Sequence, residues 1–363
     1  MSKAFDCVNH EILLSKLEHY GIRGTASQFF RAYLSNRQQF TIVNGETSDI
    51  LSIICGVPQG STLGPLLFLL YINDLATASK FSLSLFADDT CLLMSNKNLN
   101  LLEERCNTEL VQVHNWFLAN KLTANLTKAS KYMLTFGKSR SNPPENFTIL
   151  MGHTILEEVT TIKYLGVIFD KCFKWQDHIS YVCAKISKSI GVLSKLRYYV
   201  NTQTLLKVYY ALVSSHLSYA LLAWGSAGVT TLHPLKVLQN RAIRFMSFAP
   251  RYRRLDNDYI NLRLLRLDDM HKHAVSKFMH QYHHGKTPEH FLNFFGTTQP
   301  IHDHNLRRNS NEIYAPFPCR KTSMERSIRY SGPKLWEHIP IEMKTISALK
   351  FKKEYKNFLL AQY

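Results

Sequence analysis

No Cys-x-x-Cys pair occurs in this chain, although it contains seven cysteines, Cys7, Cys55, Cys91, Cys106, Cys172, Cys183 and Cys319. That scatter argues against a zinc site and against the disulfide framework of a secreted protein, so reduced thiols in an intracellular setting are expected, nuclear or cytoplasmic. Long apolar runs are also missing. Leu66 to Ile72 is far shorter than the ~20 residues a bilayer span needs, and the first residues have no signal-peptide character, so nothing in the sequence anchors it in a membrane. Histidine is plentiful at sixteen residues, yet no cysteine stands at ligand spacing from His271-Lys272-His273 or His283-His284, and no metal role is expected for them.

Acidic residues are scarce: 27 Asp and Glu face 44 Lys and Arg, a net charge of +17. The imbalance is uneven. Residues 1–135 carry 11 basic and 11 acidic side chains, so the whole excess lies beyond them, as expected if a polyanion is held beside a neutral platform. With 363 residues, 45% of them hydrophobic, the chain can bury substantial cores in roughly two or three structural units.

The strongest local signal is Phe86-Ala87-Asp88-Asp89. Apolar runs flank the two acids on both sides, which reads as the tip of a β-hairpin, because such a pair must be solvated or metal-bound at a turn. Hard oxygen ligands of this kind suit Mg²⁺, shared with substrate phosphates. A second pair, Asp268-Asp269, lies in a charged helical setting and reads as a solvated face.

Elsewhere the pattern predicts a helix carrying Ile12, Leu13, Leu17 and Tyr20 between Asn9 and Gly21, and a short one through Phe29, Phe30 and Tyr33. Phe40–Val43 and Ile50–Ile54 read as strands around Asn44-Gly45, a strong hairpin signal. A helix after the Gly56–Pro65 loop is expected to bury Leu66, Leu67 and Leu70. Leu102, Cys106, Leu110, Val113 and Phe117 form a helical stripe, and Tyr132–Phe136 and Thr161–Phe169 read as strands separated by the breaker Ser139–Pro144. From about residue 173 the pattern is helical. Ile179, Val182, Ile186, Val192 or Leu193, and Leu196 share one face of an amphipathic helix, with Lys185, Lys188 and Lys195 on another. Further helices are expected over 205–222 and 234–248, the latter leading into Arg241, Arg244, Arg251, Arg253 and Arg254 around Tyr252, and residues 294–330 into an irregular connector.

Taken in order, Ser2-Lys3-Ala4-Phe5-Asp6, Gly56-Val57-Pro58-Gln59-Gly60-Ser61 with Leu63-Gly64-Pro65, Phe86-Ala87-Asp88-Asp89, Asn125-Leu126-Thr127-Lys128 and Tyr164-Leu165-Gly166 resemble successive palm motifs of reverse transcriptases from non-LTR, LINE-type retrotransposons. Tyr330–Trp336, Ile339-Pro340 and Phe351-Lys352-Lys353 resemble the carboxyl-terminal extension of such elements. The resemblance implies an α+β fold: a partial polymerase palm over 1–172 (antiparallel sheet with helices), a helical thumb over 173–254 and a mostly helical extension over 255–363.

It also implies roles. Asp88 and Asp89 carry Mg²⁺, two ions in a complete enzyme. Phe5 lies beneath the incoming sugar and disfavours a 2′-hydroxyl, and Gln59 and Gly60 approach nucleotide and template. Lys128 protonates the leaving pyrophosphate, although Ala129 stands where the family commonly has Thr. Leu165 and Gly166 support the primer end, and Lys185, Lys188 and Lys195 grip the duplex. Partners are an RNA template and DNA primer, or an RNA:DNA duplex. The family's first motif has a further Asp two residues before the position of Ser2, which this sequence does not contain, and a fingers region ahead of it. Asp6, six positions later, is not expected to replace that acid. The 363 residues by themselves are therefore expected to be inactive as an RNA-directed DNA polymerase. The alternatives are a non-catalytic nucleic-acid-binding remnant or, less well matched to the Asp pair and charge asymmetry, a protein-interaction domain.

Overall fold

The computed structural model describes residues 4–125, 131–135, 147–297, 314–318 and 325–363. Ser2, Lys3, the segment 126–130 with Lys128, and the breaker 139–144 lie outside these residues. The chain divides into two compact units, residues 1–165 and 166–363. Helices predominate beside small, mostly antiparallel sheets, an α+β fold.

In the first unit, helix α1 (His10–His19) starts where the Asn9 side chain accepts a hydrogen bond from the Ile12 amide, and Gly21 beyond its end takes φ 90°. Helix α2 (Thr25–Leu34) follows. Strands β1 (Gln38–Gln39), β2 (Ile42–Val43), β3 (Glu46–Thr47) and β4 (Leu51–Ser52) form one exposed arm, β2 pairing with β3 and β1 with β4. Its turn is Asn44-Gly45, at φ 53° and 88°, the left-handed pair that a two-residue hairpin requires. Helix α3 (Leu63–Ile72) buries Leu67, Phe68, Tyr71 and Ile72, while Leu66 is half exposed, contrary to expectation. Nearly every residue of this helix is apolar, so sequence offers no polar face from which to infer its rotation.

Strands β5 (Ser82–Phe86) and β6 (Asp89–Leu93) form the acidic hairpin, and α4 (Leu99–Ala119), capped by Asn98, buries Leu102, Leu110, Val113 and Phe117 as its stripe predicts. Short strands β7 (Lys131–Tyr132), β8 (Leu150–Met151), β9 (Thr154–Ile155), β10 (Glu157–Glu158) and β11 (Thr161–Tyr164) complete the unit. One core unites α1, α3 and α4 through Leu13, Leu17, Phe68, Tyr71 and Val113. Lys16 reaches into it: its ammonium donates to Asp74 at 2.7 Å and to the Tyr71 carbonyl at 2.6 Å, and stands 4.7 Å from the Tyr71 ring centroid. Burial lowers the Lys16 pKa against the Asp74 interaction, and burial likewise pushes the Tyr71 phenol up to about 12.

The second unit opens with β12 (Val167–Asp170), so the stretch 161–169 is two strands with Leu165-Gly166 between them rather than one. Asp170 turns the chain by accepting from the amides of Cys172, Lys174 and Trp175. Helix α5 (Gln176–Leu196) buries Ile179, Val182, Ile186, Ile190 and Leu193; Val192 faces solvent, which settles the choice left by its spacing. His178 on this helix is also buried, which lowers its pKa; its Nδ1 accepts from the Ile168 amide, fixing a neutral ring.

The helix expected over 205–222 is interrupted. Helix α6 (Thr202–Tyr209), a π turn over Tyr210–Ser214 and α7 (Ser215–Ser218) run together, then Ala220 at φ 49° breaks the path before α8 (Leu221–Trp224). Helix α9 (Val229–Ser247) begins five residues earlier than expected and runs through Pro234, which costs one backbone hydrogen bond. Helices α10 (Asp256–Asn261) and α11 (Leu267–His283) follow, then β13 (Gly296–Thr297), paired with β14 (Tyr314–Ala315), and helices α12 (Ile328–Glu337), α13 (Ile341–Lys344) and α14 (Ala348–Leu360). Two cores serve this unit: α5 to α10 close around Trp224 and Tyr209, and α11, α12 and α14 around Met279, Trp336 and Phe351. Asp268 and Asp269 occupy the first turn of α11, where they favour the helix dipole and pair with Lys236 and Lys272.

The acidic hairpin stands as a two-stranded sheet, with no third strand paired to it among the described residues. Such hairpins are marginal alone, so its amides are held mainly by packing of one face. Hydrogen exchange over residues 82–94 is expected to be faster than over α5. Equal protection by mass spectrometry would show that another segment covers the open edge.

Candidate active site

The hairpin's register places its acids. Phe86 pairs with Asp89, leaving Ala87 and Asp88 as the two-residue turn, with Ala87 at φ 49°. Directly opposed residues share a face, so Asp89 lies with Phe86, Ser84 and Cys91 on the outer face, and Leu83, Leu85 and Leu92 pack inward on the core. Asp89 is exposed and Asp88 half-buried. Two adjacent carboxylates projecting from an anchored turn supply hard oxygen donors, which fit a hydrated divalent cation that also binds phosphate. No group of three acidic, histidine or cysteine ligands is assembled among the described residues.

Phe5 packs on that same core. Its ring is half-buried and lies 4.4 Å, centroid to centroid, from Phe68 on α3. The loop after Cys55 is tied to the segment around Phe5: the Val57 amide donates to the Phe5 carbonyl at 2.8 Å, and the Gly56 amide to the Val8 carbonyl at 2.7 Å. The Gln59 side-chain amide donates to the Asp6 carboxylate at 2.7 Å. The acid that the sequence ruled out as a metal ligand thus holds the glutamine that the motif points to. Gly60, at φ 79°, is exposed with open space around it. Ser61 stabilises the turn into α3 by donating to the Pro58 carbonyl and accepting from the Gly64 amide; Gly64 itself is required, since a Cβ there would stand 2.5 Å from the Pro58 oxygen.

Leu165 and Gly166 both take left-handed backbone angles, φ 45° and 79°. The preceding Tyr164 brings its hydroxyl to 3.4 Å from the Ser84 hydroxyl, on the same outer hairpin face as Asp89. Within the first unit, then, the structure ties the segment of Phe5 to the loop of Gln59, and sets Tyr164 beside the hairpin face that carries Asp89. Lys128 lies outside the described residues. Lys185, Lys188 and Lys195 are all exposed on α5 in the second unit, Lys185 with its ammonium 4.6 Å from the Tyr181 ring centroid.

Residues 1–169 match the family described as Reverse transcriptase (RNA-dependent DNA polymerase). The probable RNA-directed DNA polymerase from transposon BS of Drosophila melanogaster is 27% identical over 298 residues, covering 77% of this chain and 32% of that protein. The RNA-directed DNA polymerase from mobile element jockey of the same organism is 25% identical over 293 residues, 77% of this chain and 31% of its own length. The Pol polyprotein from the type-1 retrotransposable element R2 of Popillia japonica is 28% identical over 184 residues, 46% and 29% of the two chains. This chain therefore contains a reverse transcriptase domain. The curated relatives it matches are polymerases of transposons and other mobile elements, and the chain spans about a third of their length.

Proposed function

We propose that the chain provides the palm and thumb of an RNA-directed DNA polymerase. The observation that carries this reading is the Asp88-Asp89 turn, projected from a hairpin whose inner face shares a core with Phe5. Residues 1–172 act as palm, 173–254 as thumb and 255–363 as a carboxyl-terminal extension. Asp88 and Asp89 are the residues that hold Mg²⁺, which in this chemistry activates the primer hydroxyl and offsets charge on the leaving pyrophosphate. Phe5 sits beneath the sugar, on a ring wall backed by Phe68, and so favours deoxynucleotides. Gln59, oriented by Asp6, and Gly60 meet the nucleotide and template. Leu165 and Gly166 support the primer end, and Lys128 donates a proton to pyrophosphate.

The test is RNA-templated primer extension with Mg²⁺ by a polypeptide that joins these residues to a complete first motif and fingers. Deoxynucleotide incorporation that requires both the template and the metal is expected. Incorporation independent of the Asp pair would place the chemistry elsewhere.

The exposed lysines of α5 are assigned to the nucleic-acid backbone. For B-form DNA, log affinity falls with log salt at a slope of about −0.9 per phosphate neutralised. Replacing Lys185, Lys188 and Lys195 together by Gln is expected to flatten the salt dependence of duplex binding, by about 2.7 if each meets one phosphate of B-form DNA. An unchanged slope would return them to ordinary solvated charge.

A further inference from the structure

One end of the α5/α9 pair carries aromatic rings in solvent. Tyr198 is 69% exposed and Phe248 is 54% exposed, and their ring centroids are 6.2 Å apart. The Arg197 guanidinium lies 4.7 Å from each of the two rings. Phe248 is also the residue that ends α9, at φ 53°. Glycine is the favoured residue in that left-handed cap, and a phenylalanine there accepts backbone strain to project a ring.

One turn back on α9, Arg244 lines a cleft of about 480 Å³ with Lys236, Arg253, Arg254, Arg266, Asp256 and Asp268 among its other walls. The acids in and behind this cleft are already engaged: Asp268 pairs with Lys236, Asp256 with Arg266 and the buried Asp258 with Arg253. Arg244 and Arg254 make no ion pair among the described residues; Arg244 donates from one terminal nitrogen to the Arg253 carbonyl at 3.4 Å, while its Nε is buried without a hydrogen-bond partner there. A buried guanidinium nitrogen left unpartnered is costly unless an acceptor enters from outside.

We propose that this end of the second unit is a platform for single-stranded nucleic acid, Tyr198 and Phe248 stacking on unpaired bases while Arg244 and Arg254 take backbone phosphates in the adjacent cleft. The inference rests on the reading of the chain as a nucleic-acid polymerase and adds a single-strand site apart from the duplex-facing lysines of α5. Stacking needs free base faces, which a duplex conceals, and rings interleaved with arginines accept any base in a strand whose phosphates are drawn into a basic groove.

A single-stranded oligonucleotide carrying one 2-aminopurine reports stacking as fluorescence quenching. The whole chain is expected to quench it and to prefer it over a blunt duplex competitor of the same length. The Y198L/F248L variant keeps apolar bulk and charge, so it is expected to bind about 10- to 100-fold more weakly, to lose the quench and to keep the salt slope. The R244Q/R254Q variant is expected to quench fully at saturation, with a slope shallower by about 1.4, since each phosphate of a single strand contributes about 0.7. Circular dichroism checks folding, and the single variant Y198L, at the more exposed position, repeats the test if the double variant is unstable. Unaltered binding without the rings, or equal competition by duplex, overturns the platform. Asp88→Asn is expected to leave this binding intact. Loss of synthesis by Asp88→Asn in the polypeptide that carries the complete first motif therefore tests the polymerase reading, and loss of quenching tests the platform.

Discussion

Asp88→Asn and Asp89→Asn are each expected to lower RNA-templated DNA synthesis by about three orders of magnitude, ~4 kcal/mol of barrier, in a polypeptide that carries the complete first motif. The amide keeps the size of the side chain but removes the charge that binds a divalent cation, and ligands of one metal centre act as a unit, so either loss disables both. Stability is expected to change little. Asp89 is exposed on the outer face, and neither acid contributes an apolar contact to the core. Glu11→Gln is the control: that acid pairs with Arg31 on the exposed surface of the first unit, and its loss is expected to leave synthesis within about twofold of the parent. Single-turnover primer extension distinguishes the outcomes. A polymerase indifferent to Asp88 and Asp89 would remove the hairpin tip from the chemistry.

The legible parts of this molecule are those whose information is local. Asn9 caps its helix from the position where a cap belongs, the stripes of α4 and α5 bury on the side their spacing points to, and Asn44-Gly45 makes the turn its backbone freedom permits. The acidic hairpin was legible for the same reason: two charges between apolar alternations leave a strand pair little choice of register. What sequence hid depends on contacts between distant residues. The rotation of α3 is set by what packs on Phe68 and Tyr71, since the helix has no polar face. Ala220 breaks a helix with neither glycine nor proline to announce it. The bond from Gln59 to Asp6 joins segments 53 residues apart, and the Tyr198–Phe248 ring pair joins the ends of two helices, so neither could be inferred from spacing.

Gly56→Ala is expected to destabilise the first unit by about 3 kcal/mol and to weaken deoxynucleotide binding with it. Two costs combine at this position. At φ 90° an L-residue is strained by about 1–2 kcal/mol, and the new Cβ would stand 2.9 Å from the Asp6 carbonyl oxygen and 3.0 Å from its Cα, backbone atoms that cannot swing aside. The segment is pinned on both sides, since the Gly56 amide donates to Val8 and its carbonyl oxygen lies 2.8 Å from the His10 Nε2. Relief of the overlap therefore has to move the Phe5-Asp6 segment, which carries the acceptor for Gln59 and the ring packed against Phe68. Gly60→Ala separates the two costs. Gly60 has a similar φ of 79° but nothing within 4 Å of a built Cβ, so only the conformational cost of about 1–2 kcal/mol applies. Urea unfolding of both variants measures the difference directly. A Gly56→Ala variant no less stable than Gly60→Ala would show that the loop and the Phe5-Asp6 segment can part without loss, and the alignment of Gln59 by Asp6 would then carry no weight in nucleotide binding.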